Sequence, residues 1–239
     1  MKKRPKYERV LQLISGHKNV TWKICQNKYP DISSSTFQEI ANMLTKSGLL
    51  TKTTLSKRKI VYKRNDGYSI EKAKECLKKQ VQDESGLGKA PENGGKIPVN
   101  PLLTMSMFSL WNALEIFHAG DERHRQAAII LLDLAVEYAL KAKICEKDPV
   151  RFVIDLEHLD FRSSVTELKR GDGLSRVDEV KITKVHATRN FAQHRGGIPD
   201  SPSTRQYAEW VTDFIRSFFS KNFNTDISGH IPANLLEEI

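Results

Sequence analysis

From Ala127 to Ile144 nearly every residue is apolar, and Asp133, Glu137 and Lys141 interrupt the run at intervals of four. A helix that is apolar around most of its circumference has to be enclosed by other elements. The interruptions form one narrow polar stripe along it. Either that stripe faces water, or Glu137 or Asp133 faces a polar cleft and positions a cation there, such as an arginine.

The surrounding sequence supplies helices to enclose it. One is expected over "LTMSMFSLWNALEIFHAG", closed by Gly120, and the central one over "RHRQAAIILLDLAVEYALKAKI". Others follow in "FRSSVTELKR", in "RVDEVKITKVHATRNFAQHR" stopped by Gly196, Gly197 and Pro199, and in "STRQYAEWVTDFIRSFFSKNF". This pattern predicts an all-α up-and-down bundle over 101–225, with a frayed tail at 226–239. Ahead of it, residues 78–100 are rich in Gly, Pro, Asn and charge and read as a flexible linker. The rest, 1–77, reads as a separate N-terminal domain, and the chain as a whole as mainly α.

Composition fits a packed protein: 39% of the 239 residues are hydrophobic and 28% charged. No apolar run approaches the ~18 residues of a membrane span, and no signal-peptide pattern follows the basic N-terminus. Cys25, Cys76 and Cys145 are odd in number and far apart, which points away from a disulfide framework and towards a reducing, cytoplasmic setting. Charge is uneven. Residues 1–70 hold 15 Lys and Arg against 4 Asp and Glu, more than the whole net charge of +9. Such asymmetry marks a surface for polyanions, nucleic acid first.

The basic third carries short helices in "YERVLQLIS" and "VTWKICQNKYP", the latter stopped by Pro30. In "DISSSTFQEIANMLTKSGLL", Ser35 and Gln38 have capping-box spacing, and Phe37, Ile40, Ala41 and Leu44 form one apolar face. The β-rich runs "LLTKTTL" and "KIVYK" flank a basic "SKR". Three helices followed by a basic hairpin resemble a winged helix-turn-helix domain. The resemblance implies that the third helix enters the major groove, with Ser34, Thr36, Gln38, Glu39, Asn42 and Lys46 on its polar face, and that Lys57, Arg58 and Lys59 contact the backbone from the wing. Gln and Asn can read adenine edges, while Lys and Arg anchor phosphates.

Near the end of the fourth bundle helix stands "ATRNFAQHRGG", residues 187–197. His186, Asn190 and His194 recur at spacing four and share a stripe. Arg189 and His194 are five apart, which places them ~7.5 Å along the axis and ~140° around it. One copy is poorly arranged to hold a single phosphate with both; two facing copies can do so. "RNFAQH" fits the R-x4-6-H signature of the HEPN superfamily, and "AVEYALK", Ala135 to Lys141, is similar to the glutamate-bearing segment of that family's first helical hairpin. The resemblance covers about 120 residues.

It implies a metal-independent endoribonuclease acting as a homodimer on an RNA substrate, leaving a 2′,3′-cyclic phosphate and a 5′-hydroxyl. His194 is then the acid/base group and Arg189 the phosphate clamp; Asn190 orients His194 or the phosphate, and Glu137 orders Arg189. A histidine exchanges protons near neutral pH, and a guanidinium stabilises the charge that builds on a phosphate. No pair of histidines has metal-ligand spacing, and no cofactor motif is found. A HEPN-like nuclease with a nucleic-acid-binding module suits prokaryotic defence or toxin systems, where an effector or neutralising partner restrains it. Two other functions stay open: a DNA-binding regulator with a noncatalytic, dimerising helical domain, and a protein-interaction scaffold.

Overall fold

A computed structural model describes residues 5–56, 59–85, 100–154, 156, 159–170 and 173–237. The chain is mainly helical with one small antiparallel sheet, and it divides into two compact units. Unit 1 comprises Met1–Gly88 and Cys145–His158; unit 2 comprises Lys89–Ile144 and Leu159–Ile239.

In unit 1, α1 (Lys6–Gly16) precedes β1 (Asn19–Val20), α2 (Trp22–Lys28) and α3 (Ser34–Lys46). β2 (Leu50–Ser56) and β3 (Lys59–Arg64) follow, then α4 (Ile70–Ser85). The sheet order is β1-β3-β2, with Lys52 opposite Tyr62 and an irregularity between Thr54 and Ser56. The hairpin is present as the β-rich runs predict. It gains a third strand, because Asn19 and Val20 pair with Lys63 and Tyr62. Phe37 from α3 meets the edge of the Tyr62 ring at 5.8 Å, joining helices to sheet.

Three features of unit 1 depart from the expectations. The cap of α3 is Ser33, whose Oγ accepts from the Thr36 backbone N–H at 3.1 Å, while Gln38 donates to Ser34; the Ser35–Gln38 capping box does not form. α4 continues through Ser85, so helix occupies residues 78–85 of the stretch read as a linker; residues 86–99 lie outside the described part. The segment after residue 144, read as part of the helical domain, contributes to this core. There α7 (Val150–Ile154) buries Val150, and Tyr7 donates its hydroxyl to Asp148 at 2.7 Å. Burial and the Asp148 carboxylate together push the Tyr7 phenol well above its ordinary pKa.

Unit 2 is built from α5 (Pro101–His118), most of α6 (Glu122–Lys147), α8 (Phe161–Arg170), α9 (Arg176–Arg195), α10 (Ser201–Phe223) and α11 (Ala233–Glu237). α10 packs on α5 and α9, and α8 packs on α9. Ser106 in α5 donates to the Ala135 carbonyl of α6 at 2.7 Å with both residues buried. Gln126 of α6 reaches the Ala192 carbonyl of α9 at 2.7 Å. The tail read as frayed is packed instead: Ile227, Ile231 and Leu235 are buried, and α11 lies on α5. Their apolar side chains recur every four residues, enough to seat a short segment.

Asp160 caps α8, accepting from the Ser163 N–H at 2.6 Å, and this bond holds its carboxyl below the usual range. A depressed folded pKa means that the cap contributes fully above the unfolded pKa and is lost as pH falls through the folded one. Asp160→Ala is therefore expected to cost about 1 kcal/mol at neutral pH, with the difference from wild type vanishing in strong acid. Thermal unfolding at the two pH values checks it.

Candidate functional site

α9 is capped at its start by Ser175, whose hydroxyl accepts from the Asp178 N–H at 3.0 Å, and at its end by Gly196 in the left-handed region, φ +65°. Only glycine adopts that conformation without cost. Gly197 is constrained differently. The Phe191 ring lies against it so closely that a Cβ would stand 1.8 Å from a ring carbon. The two glycines thus fix the helix end and the position of Phe191 beside it.

The polar stripe of α6 divides in two. Asp133 is fully buried, flanked by Ile129, Leu132, Val136 and Leu140, all equally inaccessible. A buried carboxylate needs partners, and α9 supplies two. His186 Nδ1 lies 2.9 Å from Oδ2 and 3.1 Å from Oδ1 of Asp133. Arg189 Nε lies 3.4 Å from Oδ2, close enough for charge attraction but not aligned as a hydrogen bond. Glu137 does not order Arg189; its carboxylate pairs with Lys141 at 2.6 Å, one turn along its own helix. The aspartate sits on the face of α6 that meets α9, whereas Glu137 and Lys141 satisfy each other.

Arg189 is held a second time. Its Nη1 donates to Asn190 Oδ1 at 2.9 Å, and its Nη2 has no hydrogen bond among the described residues. Asn190 therefore orients the guanidinium rather than His194. His194 is exposed and makes no side-chain hydrogen bond among the described residues. Within one chain Arg189 is drawn towards Asp133 while His194 points to solvent, in keeping with their five-residue separation.

His186 is fixed on its other side by Phe161. The two rings stack with centroids 4.0 Å apart and planes 4° from parallel. Residues from α6, α8 and α9 thus converge on one imidazole. The sequence places His186 on the stripe with Asn190 and His194 but gives it no role. The available signal was Asp133 itself, an acid inside an apolar run.

The residues expected to contact nucleic acid in unit 1 have mixed fates. Gln38 and Lys46 are exposed on α3. Ser34 is half-buried and accepts from Gln38. Asn42 is exposed, but its Oδ1 accepts from Lys52 Nζ and from the Tyr62 hydroxyl, each at 3.3 Å, which ties α3 to the sheet. Thr36 is not on the polar face: it is 5% exposed and bonded to Ser33, because it belongs to the capping turn. Lys57 and Arg58 lie outside the described residues, as does the side chain of Lys59.

Among the described residues no cluster of His, Cys, Asp and Glu is arranged to hold a metal ion, and no helix is long and apolar enough to cross a membrane. No protein-family model, curated protein or solved structure matches the chain.

Proposed function

We propose that the protein is a metal-independent endoribonuclease of HEPN type, working as a homodimer, with unit 1 acting as a winged-helix module that recruits nucleic acid. The observation that carries this reading is the grip on Arg189. A buried carboxylate on one side and Asn190 on the other orient a guanidinium in the C-terminal half of α9 and leave Nη2 available. A preorganised guanidinium is what an oligonucleotide phosphate requires as charge builds on it. His194, exposed near the end of that helix, supplies proton transfer. It acts on a phosphodiester held by the Arg189 of a second copy, since the two groups diverge within one chain. RNA is the substrate, and an effector or neutralising partner restrains the enzyme in a defence or toxin setting.

The reaction needs no external co-reactant. The 2′-oxygen bonds to phosphorus, the P–O5′ bond breaks, and the proton released at O2′ is balanced by one delivered to O5′. The products are a 2′,3′-cyclic phosphate and a 5′-hydroxyl. Metal is not required because Arg189 provides the positive charge and histidine moves the proton.

A second reading is supported by the charge of residues 1–70 and by the three helices and antiparallel sheet that carry it. In it the protein is a DNA-binding regulator and unit 2 only dimerises it. Incubating the full chain with RNA in EDTA separates the two. Cleavage that is lost in Arg189→Ala and in His194→Ala, with both variants still folded, supports the enzyme. No cleavage of any RNA, alongside duplex DNA binding that falls steeply with salt, supports the regulator.

A further inference from the structure

Resting on the ribonuclease reading, we propose that His186, oriented by Asp133, is the base that takes the 2′-hydroxyl proton, so that one chain carries both the base and the phosphate clamp. A carboxylate accepts hydrogen bonds, so the hydrogen shared with Asp133 sits on His186 Nδ1. In the neutral ring this leaves the lone pair on Nε2. Asp133 therefore fixes the tautomer as well as the position, the service that a buried aspartate gives the histidine of a catalytic triad.

The ring is placed accordingly. Stacking on Phe161 holds its plane, and the capped start of α8 holds Phe161. The His186 side chain is 25% exposed, and Nε2 makes no hydrogen bond among the described residues. Arg189 follows three residues later, ~4.5 Å along the axis and ~60° around it. Both groups touch the one carboxylate of Asp133, so base and clamp lie within reach of one phosphodiester. His194 is eight residues from His186, ~12 Å along the same helix, too far to share that phosphodiester from the same chain.

The step balances. Nε2 of His186 takes the proton from O2′ as O2′ bonds to phosphorus. The P–O5′ bond breaks, and O5′ takes a proton from the protonated His194 of the second copy. Exchange with water then resets both rings. Asp133 is a positioning residue; His186 touches the reacting oxygen.

The test uses the full chain and an RNA that the wild type cuts in EDTA. His186→Asn keeps a donor near the position of Nδ1 but has no Nε2, and it is expected to cut at least ~100-fold more slowly with melting close to wild type. His186→Ala leaves room for a free ring between Phe161 and Asp133, so imidazole in the buffer is expected to restore part of its activity in proportion to concentration, with no change in its melting. Folded His186→Asn that cleaves within about twofold of wild type, or His186→Ala that imidazole does not revive, overturns the assignment and leaves the nuclease reading standing. A wild-type protein that cuts no RNA overturns both.

Discussion

Replacing Asp133 with alanine is expected to lower the unfolding free energy by about 3 kcal/mol. The loss comes less from the attraction removed than from what is left behind. Arg189, whose side chain is 20% exposed, would keep its charge without that carboxylate, and His186 would lose its hydrogen bond to Asp133. Glu137→Ala strands Lys141, whose side chain is 12% exposed, but Glu137 is itself 18% exposed and its pair is confined to one helix, so its cost is expected to be smaller, about 1 kcal/mol. Urea unfolding followed by circular dichroism ranks the two. Equal effects would mean that the Asp133 cluster does not hold α6 to α9. A double-mutant cycle between Asp133 and Arg189 gives their coupling directly.

The second large effect is on chemistry. Arg189→Ala is expected to slow RNA cleavage by ~100-fold to 1,000-fold, and Arg189→Lys to recover little of it. A lysine ammonium cannot reach Asp133 and Asn190 at once, as the guanidinium does through Nε and Nη1. Single-turnover cleavage at saturating protein isolates this loss from weaker RNA binding. A lysine variant near full activity would reduce Arg189 to a generic positive charge.

Local signals carried much of this structure. α8 and α9 run from Phe161 to Arg170 and from Arg176 to Arg195, where periodicity, the Ser175 cap and Gly196 set their ends. Pairings distant in sequence were less legible. β1 is two residues long, and nothing in "NV" marks it until β3 lies beside it. Val150 joins a core made mostly from residues before 80, which no local pattern reveals. Thr36 looks like a polar-face residue until the cap is known to be Ser33.

The candidate site divides the same way. Arg189, Asn190 and His194 are legible as a motif, and their mutual angle follows from helix geometry. Which acid meets Arg189 is decided by the rotation of α6 against α9, and four-residue spacing leaves Asp133 and Glu137 equivalent. Burial separates them: the acid without a partner on its own helix is the one turned towards α9. His186 was hidden for the same reason, since its role depends on Asp133 and Phe161, 53 and 25 residues earlier in the chain.

In the proposed reaction the ribose itself attacks phosphorus. Once a cleavage position has been mapped in EDTA, the same RNA carrying a single 2′-deoxynucleotide on the 5′ side of that bond provides the most direct test. The expected result is cutting of the all-ribose strand to a 2′,3′-cyclic phosphate and a 5′-hydroxyl, with no cutting at the deoxy position. Cleavage there, or products bearing a 5′-phosphate and a 3′-hydroxyl, would show that water attacks phosphorus instead and would contradict the roles given to His186, Arg189 and His194.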